Sequence, residues 1–237
     1  MQREATEKPD LAEKGRAGQS LDRRLFMQLL AFTGCRDTAP LRDALASRPD
    51  VTATLYEDAH DPQGVALLTQ SEDPAFFVGP LRDLLNKEPW TGLTPRPGLT
   101  LFGRSYSLGY EPDLEETLLN RPRRTALNPD WPWAIWYPLR RSGQFLQLPD
   151  DEQREILMEH GKIGFAFGRA DYAHDIRLAC HGLDRHDNDF VVGIIGKDLH
   201  PLSAVVQAMR STTQTALYLE NLGPFFVGRA VYQSALE

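Results

Sequence analysis

The chain has 237 residues, 41% of them hydrophobic and 25% charged, with a net charge of −7. That length and composition fit one large or two small globular domains with a sizeable core, and the acidic balance argues against nucleic acid as the main partner. No apolar run reaches membrane-spanning length, and Cys35 and Cys180 form no C-x-x-C pair, so the expectation is a reduced, cytoplasmic protein without a membrane span.

Taken in order, residues 1–22 are rich in Glu, Lys, Gly and Gln and lack the apolar stretch of a secretory leader. They read as a disordered arm. Arg24 to Thr33 reads as a buried strand, and Thr38 is placed to cap a helix running to Arg48. Val51 to Glu57 and Val65 to Gln70 form a hairpin around Asp61-Pro62-Gln63-Gly64. Asp73 and Pro74 open a helix to about Asn86, and Leu99 to Leu108 is the next strand. The order of residues 23–110 is β-α-β-β-α-β, the ferredoxin-like arrangement.

Residues 111–132, rich in Pro, Arg, Asn and Asp, form a connector too long for a simple turn, and long connectors are often functional. The pattern then repeats over 133–237. Trp133 to Arg141 is a strand and Asp150 to Lys162 a helix. Asp175 to His181 and Asp189 to Ile195 pair as strands, Leu199 to Leu222 is helical, and Phe225 to Tyr232 is the closing strand. The fold class is therefore α+β, with two ferredoxin-like halves alike in pattern rather than in residues.

The helix from Asp150 carries the most chemistry. Asp150 and Gln153 are spaced as a capping box, acids fill the first turn, and Gly161 and Gly164 read as its end. Ile156, Leu157, His160 and Ile163 share its apolar side. A histidine there is either a core side chain bonded to a carbonyl or an axial ligand to a buried metal or haem. His174, His181 and His186 lie among Asp175, Asp184 and Asp187, but their spacing matches no closed zinc pattern, and there is no P-loop or Rossmann fingerprint.

Trp-Tyr-Pro at 136–138, the basic pair Arg140-Arg141, Leu148-Pro149, the acidic helix start, Glu159-His160-Gly161 and the closing run from Met209 through GPFFVG resemble the chlorite dismutase and coproheme decarboxylase superfamily. The resemblance covers about Trp133 to Tyr232 well and the first half in outline. It implies that the halves pack into one barrel-like antiparallel sheet with outer helices, as in dimeric α+β barrels. It also implies haem b or iron-coproporphyrin in the second half and a cyclic homo-oligomer, a homopentamer.

The resemblance also implies residue roles. His160 falls on the haem iron's axial ligand. Tyr137 stands where coproheme decarboxylases have the tyrosine that oxidises propionates, and Arg140 and Arg141 fall where propionates are anchored. Phe145 replaces a usual tryptophan of the haem wall. Arg177, with His181 and Phe190 at the family's offsets, matches the distal arginine of chlorite dismutases, across a segment four residues longer than theirs. Where those enzymes have a glutamate behind the axial histidine, this sequence has Gln214, a neutral partner that favours the decarboxylase. The implied function is peroxide-dependent coproheme decarboxylation to haem b. The alternatives are chlorite decomposition to chloride and O2, and haem binding or sensing with weak peroxidase activity.

Overall fold

The computed structural model describes residues 8–236. The first half contains β1 (Glu13–Lys14), β2 (Ser20–Leu21), β3 (Phe26–Thr33), α1 (Ala39–Ala46), β4 (Ala53–Asp58), β5 (Val65–Ser71), α2 (Ala75–Val78), α3 (Pro80–Leu85), β6 (Thr94–Pro95) and β7 (Leu101–Arg104). After the connector, which holds α4 (Arg121–Ala126), come β8 (Trp133–Arg141), α5 (Gly143–Leu146), α6 (Asp150–Arg169), β9 (His174–Ala179) and β10 (Phe190–Gly196). The chain then forms α7 (Leu199–Arg210), α8 (Thr213–Leu217), β11 (Leu219–Leu222) and β12 (Phe226–Gln233).

Strand order in the first half is β7-β3-β5-β4 and in the second β12-β8-β10-β9, all antiparallel. Numbered within each half, both read 4-1-3-2, so the two ferredoxin-like units expected from the pattern are present. Two seams join them. At one, β12 pairs with β4 from Gly228 opposite Asp58 to Gln233 opposite Thr54, with an irregularity between Ala230 and Tyr232. At the other, β7 meets β9 through the single pair Arg104 and Ala179. The eight strands thus close into a ring, and β11 extends β12's edge along β8.

Strand alternation then sorts side chains to two faces. Met27, Leu29, Tyr56, Leu68, Trp136 and Ile176 fill the interior, as expected for a ring of eight strands, whose bore is only wide enough for side chains. Their neighbours point outward, toward the helices.

Several expectations are corrected. Gly161 and Gly164 do not end α6, which continues to Arg169. A terminating glycine works by adopting positive φ, and neither does. Asp150 does not cap the helix: Pro149 is the flanking residue, no side-chain capping bond forms, and Gln153 Nε2 donates to the Leu148 carbonyl. The helix expected over 199–222 breaks into α7, α8 and a strand. The one expected over 73–86 breaks at Gly79-Pro80, because proline cannot donate to the preceding turn. Thr38 makes no capping bond, and the strand expected over 99–108 keeps only Leu101–Arg104.

The arm and the connector are packed together. Arg16 N–H donates to the Glu111 carbonyl (2.9 Å), and Glu13 accepts from Arg104 (3.0 Å) and the Ser107 N–H (2.9 Å). Residues 8–22 are therefore ordered, contrary to the arm expected there, while 1–7 lie outside the described residues. In the connector, Leu114, Leu118 and Leu119 are buried in the core that fills the ring.

Candidate active site

Between the outer face of the second half's sheet and its helices lies a cavity of about 620 Å3. That size is typical of small-molecule and cofactor sites, roughly 300–1,000 Å3. Alternation on β8 turns Tyr137 and Leu139 into it, and β10 adds Val192 and Ile194. On β9, Ile176 and Leu178 face the ring's interior, while Asp175 and Arg177 line the cavity. Helix α6 forms the opposite wall with His160, Gly161, Gly164 and Gly168. Not one of its residues is fully buried: Ile163 and Phe167 pack against the apolar cluster of this half, while the glycine-bearing side lies over the cavity.

His160 is half-buried, with Nδ1 3.2 Å from Thr212 Oγ1. Burial, reinforced by the positive charges of Arg141 and Arg177, drops its pKa to about 4. The imidazole is therefore neutral at ordinary pH, the form that ligates metals. Gln214, the partner expected from sequence, does not contact the ring in any hydrogen bond. It lines the cavity nearby, and its buried Oε1 has no partner among the described residues.

Tyr137 lies on the floor, 7% exposed, its ring 4.7 Å from that of Phe225. Burial, then the Asp175 carboxylate, raises its phenol pKa above the ordinary value, so the hydroxyl keeps its proton. Arg177 also lines the cavity, with Nε 2.8 Å from Asp175 Oδ2.

The basic pair divides. Arg140 ion-pairs with Asp187 (2.8 Å) and Glu220 (3.4 Å) and does not line the cavity. Arg141 packs its guanidinium over Phe190 (4.6 Å) and Phe145 (5.0 Å), leaving Nε buried without a partner among the described residues. Adjacent strand residues face opposite ways, so the two cannot grip one carboxylate together. Phe145 is 1% exposed, packs against Tyr218, and also lies outside the cavity lining.

Other cations occupy the cavity wall. Arg121 and Arg124 come from the connector, Arg169 ends α6 and Arg210 ends α7. With Arg177 they make five guanidiniums against one lining carboxylate, Asp175, among the described residues of a chain of net charge −7, although Arg124 is also ion-paired with Glu116 outside the lining. The arginine-rich composition of an over-long connector was the available signal. Trp131, the connector's last aromatic, stacks on His174 at 3.6 Å and 12°, and both line the cavity.

A family model described as chlorite dismutase matches residues 110–231, just over half of the chain. The chain belongs to the chlorite dismutase family. The match opens at Tyr110 on the cavity wall and runs through both cavity-forming sheet and helices. Among solved structures, a haem-binding protein from Thermus thermophilus is 18% identical, with 89% of this chain and 92% of that one aligned and a TM-score of 0.68. A variant chlorite dismutase from Candidatus Nitrospira defluvii, in complex with cyanide, is 15% identical over the same shares, also with a TM-score of 0.68. At such identities the likeness establishes the fold of this family member. Comparison with curated proteins gives no match.

Proposed function

We propose that this chlorite dismutase family member binds an iron porphyrin in the cavity and converts two propionates of iron-coproporphyrin to vinyl groups, giving haem b. One observation carries the reading: a protonated, oxidisable phenol, Tyr137, lies on the floor of a cavity whose opposite wall offers a neutral imidazole and whose charge is dominated by arginine. The residues present fit such a group. His160 would supply Nε2 to the iron, the apolar floor would take the ring, and Arg121, Arg124, Arg169 and Arg210 would suit several carboxylates, which arginine grips bidentately. These four replace Arg140 and Arg141 as the proposed propionate anchors.

An iron porphyrin supplies oxidation by hydrogen peroxide when bound. The role of Tyr137 is to lose its phenolic hydrogen atom and regain one from a propionate side chain. For each propionate, one carboxylate leaves as CO2, a proton and two electrons are removed, and one peroxide is reduced to two waters. Tyr137 holds the hydrogen because desolvation disfavours phenolate.

Arg177 is the observation that favours the second reading, chlorite decomposition, because a fixed cation on the cavity face can steady an oxyanion. Its pairing with Asp175 at 2.8 Å offsets that charge and ranks this reading second. The test is ferric coproporphyrin and peroxide added to the apoprotein, with product mass as the readout. Loss of two CO2 in the wild type, abolished in Tyr137→Phe with porphyrin affinity retained, is the expected result. Haem b formed at the wild-type rate by Tyr137→Phe removes Tyr137 from the mechanism. Oxygen release from chlorite without decarboxylation decides for the second reading.

A further inference from the structure

Helix α7 stops at Arg210, and Thr212, just before α8, has extended backbone (φ −72°, ψ 151°). A threonine in that position ordinarily turns its side-chain oxygen onto an N–H of the helix it precedes. Thr212 makes no such bond. Its hydroxyl donates to the Met209 carbonyl at 2.8 Å, the shortest of its contacts, and the same oxygen lies 3.2 Å from His160 Nδ1 and 3.3 Å from Thr215 Oγ1. The Thr213 N–H that begins α8 is taken instead by Glu159 Oε2 at 2.9 Å, a contact that holds the Glu159 carboxyl below its usual pKa. The pair Glu159-His160 thus docks on the pair Thr212-Thr213 at two points, and Thr212 is 1% exposed.

The direction of these bonds fixes a proton. A hydroxyl has one hydrogen, and a carbonyl oxygen can only accept. With the Thr212 hydrogen directed to Met209, Thr212 Oγ1 presents lone pairs to His160. Nδ1 then carries the ring proton, and Nε2 keeps its lone pair. We infer that Thr212 is the positioning residue of His160: it holds the imidazole as the Nδ1–H tautomer, with Nε2 free for a metal, and it does so as a neutral acceptor. A hydroxyl draws the Nδ1 proton less strongly than a carboxylate, so a bound iron meets ordinary imidazole rather than one with imidazolate character. Gln214, two residues further on, contributes no bond to the ring.

The tautomer stands on the protein alone, whereas its consequence for iron rests on the proposed function, and the test separates the two. Ring-nitrogen NMR of the full chain without porphyrin is expected to report Nδ1–H for His160. Thr212→Val has nearly the same shape and no hydroxyl. It is expected to release the ring toward the Nε2–H form that free histidine prefers, and Thr212→Ser to restore Nδ1–H. Thr212→Ala serves as the second hydroxyl-free variant should the valine protein not fold. In the haem-loaded protein, the hydroxyl-free variants should lower the Fe–His stretching frequency and weaken haem binding by about 10–100-fold, as loss of a partner behind a ligating histidine does. Serine should rescue both. A wild-type tautomer in the hydroxyl-free variants overturns the inference. A protein that shows the tautomer effect and takes up no porphyrin overturns the proposed function and leaves the inference standing.

Discussion

The two halves share one topology and differ in what lies between sheet and helices. In the first half that space is solid: Trp90, Phe76, Phe32, Leu41, Leu67 and Leu81 pack there, and Trp90 is 2% exposed. In the second half α7 presses Leu202 and Val205 onto part of the same layer, and the 620 Å3 cavity takes up the rest beneath α6. The covering elements account for the difference. Short helices α1 and α3 each press leucines into the first half's sheet. Helix α6, the longest at 20 residues, shows glycine at 161, 164 and 168 to the second half's cavity. A Cβ at Gly161 would meet nothing within 4 Å, and one at Gly164 only the flexible end of Met209 at 3.4 Å. Duplicate folds can thus divide labour through side-chain volume: one half packs this layer throughout, and the other gives up part of that packing for a site.

Trp90→Ala should break this comparison hardest, by opening a cavity in the solid half. The expected loss is about 3–5 kcal/mol of stability, read from urea unfolding, the usual range for truncating a buried large aromatic. A loss under about 1 kcal/mol would mean the first half is not the stabilising one.

In the open half, His160→Ala should cost little stability yet lower porphyrin affinity beyond about 100-fold, more than loss of a partner behind the ligand would. Titration followed at the Soret band, together with loss of the Fe–His stretch, checks it. An unchanged stretch removes His160 as the ligand.

Gly161→Leu sharpens the contrast by making the second half resemble the first. Replacing an interior helical glycine should stabilise α6 by about 1 kcal/mol while filling the cavity. A raised melting temperature with porphyrin binding lost is the expected pair of results. Retained binding would place the ligand elsewhere.

The smallest effect is on pH. His160 has a folded pKa of about 4, below its unfolded value of 6.5. The unfolded chain therefore binds this proton first, and the stability tied to the neutral ring is complete above pH 6.5 and falls away as pH drops toward 4. His160→Gln should flatten the stability profile across that window, measured by denaturant midpoints at successive pH values. Equal slopes for the two proteins would mean that the ring is solvated.

The sequence made some of this plain and hid the rest for physical reasons. Strand β8 matches its expected bounds, Trp133 to Arg141, because an apolar run ends sharply at two charges. His160 was legible as an inward-facing residue from its helical spacing with Ile156 and Ile163, and it does line the cavity. The break at Ser211-Thr212 was in fact marked, since Ser211, Thr212, Thr213 and Thr215 are weak helix formers and threonine suits the position before a helix. The α6 glycines mislead because a chain-ending glycine and a space-making one look alike until φ is known. Arg121 and Arg124 reach the cavity through contacts between distant segments, which local patterning does not encode. The divergence of Arg140 and Arg141 could have been read in advance, since a strand turns neighbours to opposite faces.

Strand β12 pairs with β8 along one side and β4 along the other. The strand of this sheet that is synthesised last is therefore the clasp that binds the first half to the second. Until it arrives, β4 presents a row of unpaired backbone N–H and C=O groups, a ready template for another chain. The densely packed first half, for all its stability, cannot finish its own sheet and must wait for about 170 further residues, the span from β4 to β12. A chain cut before Phe226 bares β4 and the start of β8 together, and is expected to collect in the insoluble fraction even though the cavity's histidine, tyrosine and arginines are all present.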